Sequence, residues 1–153
     1  MEKNINFAEF IERRFTEEEF SFNIKRYEHS TVFIIPIPAK NAPNIIMSMR
    51  ISDMHVKLFA EIAHKTPKNK RIQILEILNS LLNRFKYIQL VLEDDDSICA
   101  SYDFDIFSED EETIMKQVIT NLYLIQNIID ECIPKIMMII WNNDEEKLTE
   151  EED

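Results

Sequence analysis

Ile72-Gln-Ile-Leu-Glu-Ile-Leu-Asn-Ser-Leu-Leu-Asn-Arg-Phe85, Tyr87-Ile-Gln-Leu-Val-Leu92 and Ile98-Cys-Ala-Ser-Tyr-Asp-Phe-Asp-Ile106 are three consecutive pieces whose spacing decides the fold. In the first, Ile74, Leu75, Leu78, Leu81, Leu82 and Phe85 recur at intervals of three and four, the mark of a helix with one apolar stripe. In the other two the period is two. Ile88, Leu90 and Leu92 share one face, and Ile98, Ala100, Tyr102 and Phe104 share another. With Asp94-Asp95-Asp96 as the loop, Leu92 pairs with Ile98, Leu90 with Ala100 and Ile88 with Tyr102. Both apolar rows then fall on one side, as a sheet covered by a helix requires.

Working outward, residues Asn4–Phe15 read as a helix with Ile5, Ala8, Ile11 and Phe15 on one side. From Phe20 the period becomes two, through Phe22 and Ile24. Thr31-Val-Phe-Ile-Ile-Pro-Ile-Pro38 is apolar on both faces, and its prolines place it at an edge or a strand end. Ile45, Met47, Met49 and Ile51 are apolar at odd positions; Met54, Val56, Leu58, Ala60 and Ile62 are apolar at even ones. That parity flip predicts either a turn at Ser52-Asp53, pairing Ile51 with Met54 and Met49 with Val56, or a bulge in one long strand. Thr66 and Pro67 read as cap and first position of the central helix. Ser108-Glu-Asp-Glu111 reads as a capping box for a long final helix, which Pro134 should kink or divide. The order predicts an α+β fold, α-β-β-β-(β)-α-β-β-α, with an antiparallel sheet of five to six strands and three helices.

Bulk composition bounds the function. The chain has 153 residues, one domain by length (1–143), followed by an acidic tail at 144–153 with seven acids and one lysine, expected to be disordered. An apolar share of 45% suits an ordinary core. Net charge is −12, which opposes binding to nucleic acid phosphates. No long apolar run suggests a membrane span, and no secretory signal opens the chain, so a cytoplasmic location is expected. There is no glycine, hence no Gly-rich phosphate loop, dinucleotide fingerprint or nucleophile elbow. Turns must be made by Asn, Asp, Ser and Pro.

The chemistry-bearing residues are sparse. His55 and His64 lie nine apart on a predicted strand, so on opposite faces, and do not form a metal pair. Cys99 lies on the outer sheet face without a neighbouring base, and Cys132 reads as core. Glu93-Asp-Asp-Asp96 reads as a solvated turn, and Asp103 with Asp105 as a polar row on the outer face. No cofactor, metal or catalytic residue is indicated. The surplus is apolar area: a long helix apolar on more than one side, a strand apolar on both faces, and seven methionines.

Leu75-Glu-Ile-Leu-Asn-Ser-Leu-Leu-Asn83 and Phe85-Lys-Tyr-Ile-Gln-Leu-Val-Leu-Glu-Asp-Asp-Asp-Ser-Ile98 resemble the YbjN-like family, bacterial proteins labelled sensory transduction regulators. That family shows a leucine/asparagine helix, an aromatic at the start of the strand and an acidic turn. The chain departs from it at Asp96, where the family often has a turn glycine. The resemblance covers about residues 4–141. It implies a fold like that of the class I type III secretion chaperones, small acidic dimers that hold an extended client segment, and it supplies no catalytic residues.

These readings lead to an expected non-enzymatic protein-binding module, chaperone-like or regulatory, acting as a homodimer on another protein. The expected dimer or partner surface is the stripe Ile114, Val118, Leu122, Ile125, Ile129, Ile136, Ile140 and Trp141 on the long helix. Two alternatives are a small-ligand sensor or enzyme with a pocket between sheet and helices, and an acidic immunity-type inhibitor.

Overall fold

A computed structural model describes residues 6–41 and 44–142. The expected acidic tail therefore lies outside the described residues, as do Asn4 and Ile5 of the first predicted helix. The elements in order are α1 (Phe7–Glu17), β1 (Asn23–Arg26), β2 (Thr31–Ile37), β3 (Ile45–Ser52), β4 (His55–Ala63), α2 (Arg71–Arg84), β5 (Gln89–Leu92), β6 (Ile98–Asp105) and α3 (Glu111–Trp141). The strands form one antiparallel sheet in the order β1-β2-β3-β4-β6-β5. Six strands and three helices make the α+β fold that the sequence pattern predicts.

The alternation of each strand sorts its side chains. Phe33, Ile35, Met47, Met49, Val56, Leu58, Ala60, Leu90, Ile98 and Ala100 are buried, while Arg50, Lys57, Phe59 and Asp103 between them stay outside. The buried row meets Ile11 and Phe15 of α1, Ile74, Leu78 and Leu81 of α2, and Ile114, Val118, Ile125 and Ile129 of α3 in a single core. Removing that much apolar surface from water is the main favourable term in holding the helices to the sheet. α1 adds an aromatic cluster: the Phe15 ring lies 5.1 Å from Phe20, 6.0 Å from Phe22 and 5.8 Å from Phe33, centroid to centroid.

The β5–β6 register matches the pattern, with Leu92 opposite Ile98 and Leu90 opposite Ala100. Asp96 takes a positive φ of 66° in its loop, a conformation that glycine adopts most freely. The hairpin at 45–63 is two strands, but its turn falls one residue later than the parity flip suggests. Ser52 pairs with His55 and Ile51 with Val56, so Asp53-Met54 make the turn. Asp53 supplies the positive φ, 52°, and Met54 is left exposed. An aspartate tolerates this conformation better than the β-branched or bulky alternatives.

Three predicted boundaries are corrected. Thr66 does not cap α2: its hydroxyl and its N–H both donate to Asp96 O, at 2.7 and 2.8 Å, and a 3-10 turn at Lys68–Lys70 precedes the helix. Asp110, not Ser108, caps α3, accepting from Thr113 N at 3.0 Å. The long helix is not divided at Pro134; it runs unbroken through 31 residues.

Candidate functional site

The sheet is paired edge to edge only along part of its length. β2 and β3 pair from Thr31↔Ile51 to Ile37↔Ile45, and β4 and β6 pair from His55↔Asp105 to Ala63↔Ile98. Between these two ladders, the β3–β4 pairing stops at Ser48↔Phe59. Beyond it, Ile45–Met47 on one side and Ala60–Ala63 on the other have no cross-strand pairs with each other. The register irregularity between Glu61 and Ala63 lies in the same stretch, where a bulge adds local twist.

Two sets of hydrogen bonds anchor this end of the sheet. On the β3 side, the Asp130 carboxylate of α3 accepts from Lys40 N at 3.2 Å and Asn41 N at 3.0 Å, and Gln126 Nε2 donates to Pro38 O. These bonds draw the β2–β3 connection down onto α3. On the β4 side, Thr66 is bound to Asp96, which keeps the end of β4 with the β5–β6 hairpin. A groove of about 1180 Å³ lies at this end of the sheet, against the C-terminal part of α3.

Its floor is the last third of α3: Ile129, Ile133, Pro134, Met137 and Ile140. Its walls are Ile45 and Ile46 from β3 and Phe59, Ile62 and Ala63 from β4. Several of these are uncovered: Ile46 is 52% exposed, Phe59 38%, Met138 74% and Trp141 77%. Glu61, His64 and Lys65 are the charged or titratable groups in the lining, and His64 Nδ1 lies 3.1 Å from Glu61.

Pro134 cannot donate to Asp130 O, the carbonyl four residues earlier, and a carbonyl left without its helical donor is normally a cost. Asn41 Nδ2 donates to that oxygen at 3.2 Å. At the end of the helix Lys70, itself buried, places Nζ 3.0 Å from Ile139 O and 3.1 Å from Ile140 O, with Asn142 O as a third acceptor. An ammonium against the last carbonyls satisfies orphan acceptors and opposes the negative end of the dipole. The groove floor is therefore fixed at both its proline and its terminus.

The predicted partner stripe is redistributed by burial. Ile114, Val118, Leu122, Ile125, Ile129 and Ile136 are all buried against the chain's own sheet, because the same 3.6-residue periodicity that makes a seam also makes a core face. Ile140 is half-buried in the groove and Trp141 is exposed at its rim. The stripe as a whole is thus not a surface of this fold. What the sequence pattern missed is the contribution of Ile46 and Phe59, which look like ordinary outward positions of two paired strands.

The remaining constellations are occupied locally. His55 sits on the outer face with Nδ1 2.8 Å from Asp105 and Nε2 3.9 Å from Asp103. Asp95 accepts from Ser97 Oγ at 2.5 Å and Ser97 N at 3.0 Å, and these two bonds hold its carboxyl below the usual range. Cys99 is buried despite its outer-face position, and burial raises its thiol pKa. Burial, with the Glu131 charge adding, pushes the Cys132 thiol up to about 11. Both thiols are thereby held in the less nucleophilic form. Among the described residues, no three His, Cys, Asp or Glu side chains are grouped as a metal ion would need. No helix among them is long and apolar enough to cross a membrane.

No protein-family model matches the chain, and no curated protein matches it in sequence. Solved structures share its fold, among them the following two. The crystal structure of YbjN, a candidate transcription regulator from E. coli, is 11% identical with a TM-score of 0.54, over 81% of this chain and 89% of that one. An uncharacterized protein from Methanothermobacter thermautotrophicus is 12% identical with a TM-score of 0.54, over 88% of this chain and 96% of that one. The chain has a YbjN-like fold.

Proposed function

We propose that this YbjN-like fold serves as a non-enzymatic, regulatory or chaperone-like module that binds another protein through the groove between β3 and β4 and works as a homodimer. The observation that carries the reading is the set of uncovered apolar side chains, Ile46, Phe59, Met138 and Trp141, around one continuous hollow. Apolar area of this kind on a small domain marks an interaction surface. The methionines suit a surface that adapts to its partner.

The test uses the whole chain as bait in the source lysate beside the double variant F59K/M138K. Proteins held by the natural sequence and lost with the variant support the reading; identical sets with both count against it. Light scattering addresses self-association, and a strict monomer at high concentration removes the homodimer. A large, selective thermal shift from a metabolite would move the reading to a small-ligand sensor, since a ligand that binds only the folded state stabilises it by mass action.

A further inference from the structure

We propose that the acidic segment 144–153 docks on its own chain, against the lysines that lead into α2, and so clasps the end of α3. The contact does not depend on what the groove binds. Charge is divided unevenly along the sequence. Residues 64–92 hold six cations, Lys65, Lys68, Lys70, Arg71, Arg84 and Lys86, against the single acid Glu76, within a chain of net charge −12. Three of the six are engaged: Lys70 Nζ donates to the last carbonyls of α3, Arg71 lies 3.1 Å from Asp96, and Arg84 is paired with Glu131. Lys65 and Lys68 are exposed and make no ion pair among the described residues. No acidic residue stands in the first turn of α2 to screen them.

The course of the chain brings the two signs together. Asn142 O accepts from Lys70 Nζ, so the chain leaves α3 beside the 3-10 turn Lys68–Lys70. An extended chain spans at most about 3.6 Å per residue, which keeps Asp144 within about 7 Å of Asn142 and Glu146 within about 14 Å. Residues 144–153 hold seven acids against one lysine, and they start within reach of two exposed ammonium groups. A segment tied this near to its target meets it at an effective concentration on the order of millimolar, which a separate acidic peptide has to reach in solution. Single exposed ion pairs are weak, so the dock works as a set of several and is broken by ionic strength. Lys65 also lines the groove, so the docked segment lies along its rim.

The experiment is cross-linking of the full chain with a carbodiimide, which joins a carboxylate to a lysine amine only when the two touch. Isotope-labelled and unlabelled protein are mixed, and the joined peptides are read by mass spectrometry. The expected products link 144–153 to Lys65 or Lys68 within one isotope, at low salt, and disappear at high salt. Equal yields on exposed lysines elsewhere, such as Lys25 and Lys57, or no product at all, overturn the dock. Products that mix the isotopes assign the contact to a second copy and overturn the clasp within one chain. Thermal unfolding gives a second reading. D144N/E145Q/E146Q should lower Tm by roughly 2–4 °C at low salt and change nothing in a K65Q/K68Q background. A triple variant as stable as the parent, or more stable, as relief of self-repulsion alone would make it, overturns the proposal.

Discussion

Asn41 hydrogen-bonds the carbonyl of Asp130 that Pro134, four residues further along α3, has no N–H to reach. The loop side chain thus completes the helix ladder, and the loop backbone is held by the carboxylate of the same aspartate. Replacing Asn41 by Ala should cost about 1 kcal/mol in denaturant unfolding, the usual net worth of one such bond. In a Pro134→Ala background the cost should shrink, because the alanine N–H restores the helical donor. Equal costs in both backgrounds would show that the two residues are not coupled.

Lys70 holds the end of α3. Its conversion to Met keeps the apolar stem and removes a buried ammonium with three carbonyl acceptors. The expected loss is roughly 2 kcal/mol, in the range for bonds to charged groups. It should be accompanied by faster amide exchange in the last turn of α3, near Ile139 and Ile140. A variant as stable as the parent would remove the cap from the account of the groove floor.

Asp53 makes the β3–β4 turn with φ 52°. Asp53→Gly should leave stability unchanged or slightly raised, because glycine adopts this conformation freely. Asp53→Val should lower it by about 1–2 kcal/mol, the cost of a left-handed conformation in a β-branched residue. Thermal unfolding of the two variants measures the difference directly.

Asp110 accepts from Thr113 Oγ1 at 2.7 Å and from Thr113 N, and the two bonds hold its carboxyl below the ordinary value of 3.8. Asp95 is lowered in the same sense by Ser97. A carboxylate lowered on folding adds stability that is complete above its unfolded value and disappears as pH falls through the folded one. Stability should therefore decline once the pH passes below 3.8, and D95N/D110N should flatten that decline. An unchanged acid limb would show that these two sites do not contribute to it.

The cysteines should be slow to alkylate. At pH 8 almost none of Cys132 is thiolate, given a value pushed up to about 11, and its side chain is fully covered. Iodoacetamide should label neither Cys99 nor Cys132 in the folded chain during the time that labels both in denaturant. Intact mass spectrometry reads the outcome, and rapid labelling of the folded form would mean that the core opens easily.

Much of the fold is visible in local periodicity. The stripe Ile74, Leu78, Leu81 predicts α2, and the alternation around the four acids predicts the β5–β6 register, because each depends on neighbours within one element or one hairpin. What escapes is set by contacts between distant residues. The pairing of β4 with β6 follows from the path of the chain through α2, and the exact turn at Asp53-Met54 from which residue accepts positive φ. The carbonyl that Pro134 leaves without a helical donor is paired by Asn41, far away in sequence. The groove is least legible of all: Ile46 and Phe59 carry ordinary strand patterns, and the hollow beside them is formed only where β3 and β4 meet α3. The α3 stripe, conversely, stands out in the sequence, yet the chain's own core covers most of it, since a seam and a core face share one periodicity.

The parting of the strands has a mechanical consequence. Among the described residues, the five rungs from Ser48↔Phe59 to Ser52↔His55 are the strand pairs that join β1-β2-β3 to β4-β6-β5, with α3 packed against the same core. Amide exchange along these five rungs therefore reports how firmly the two half-sheets are joined.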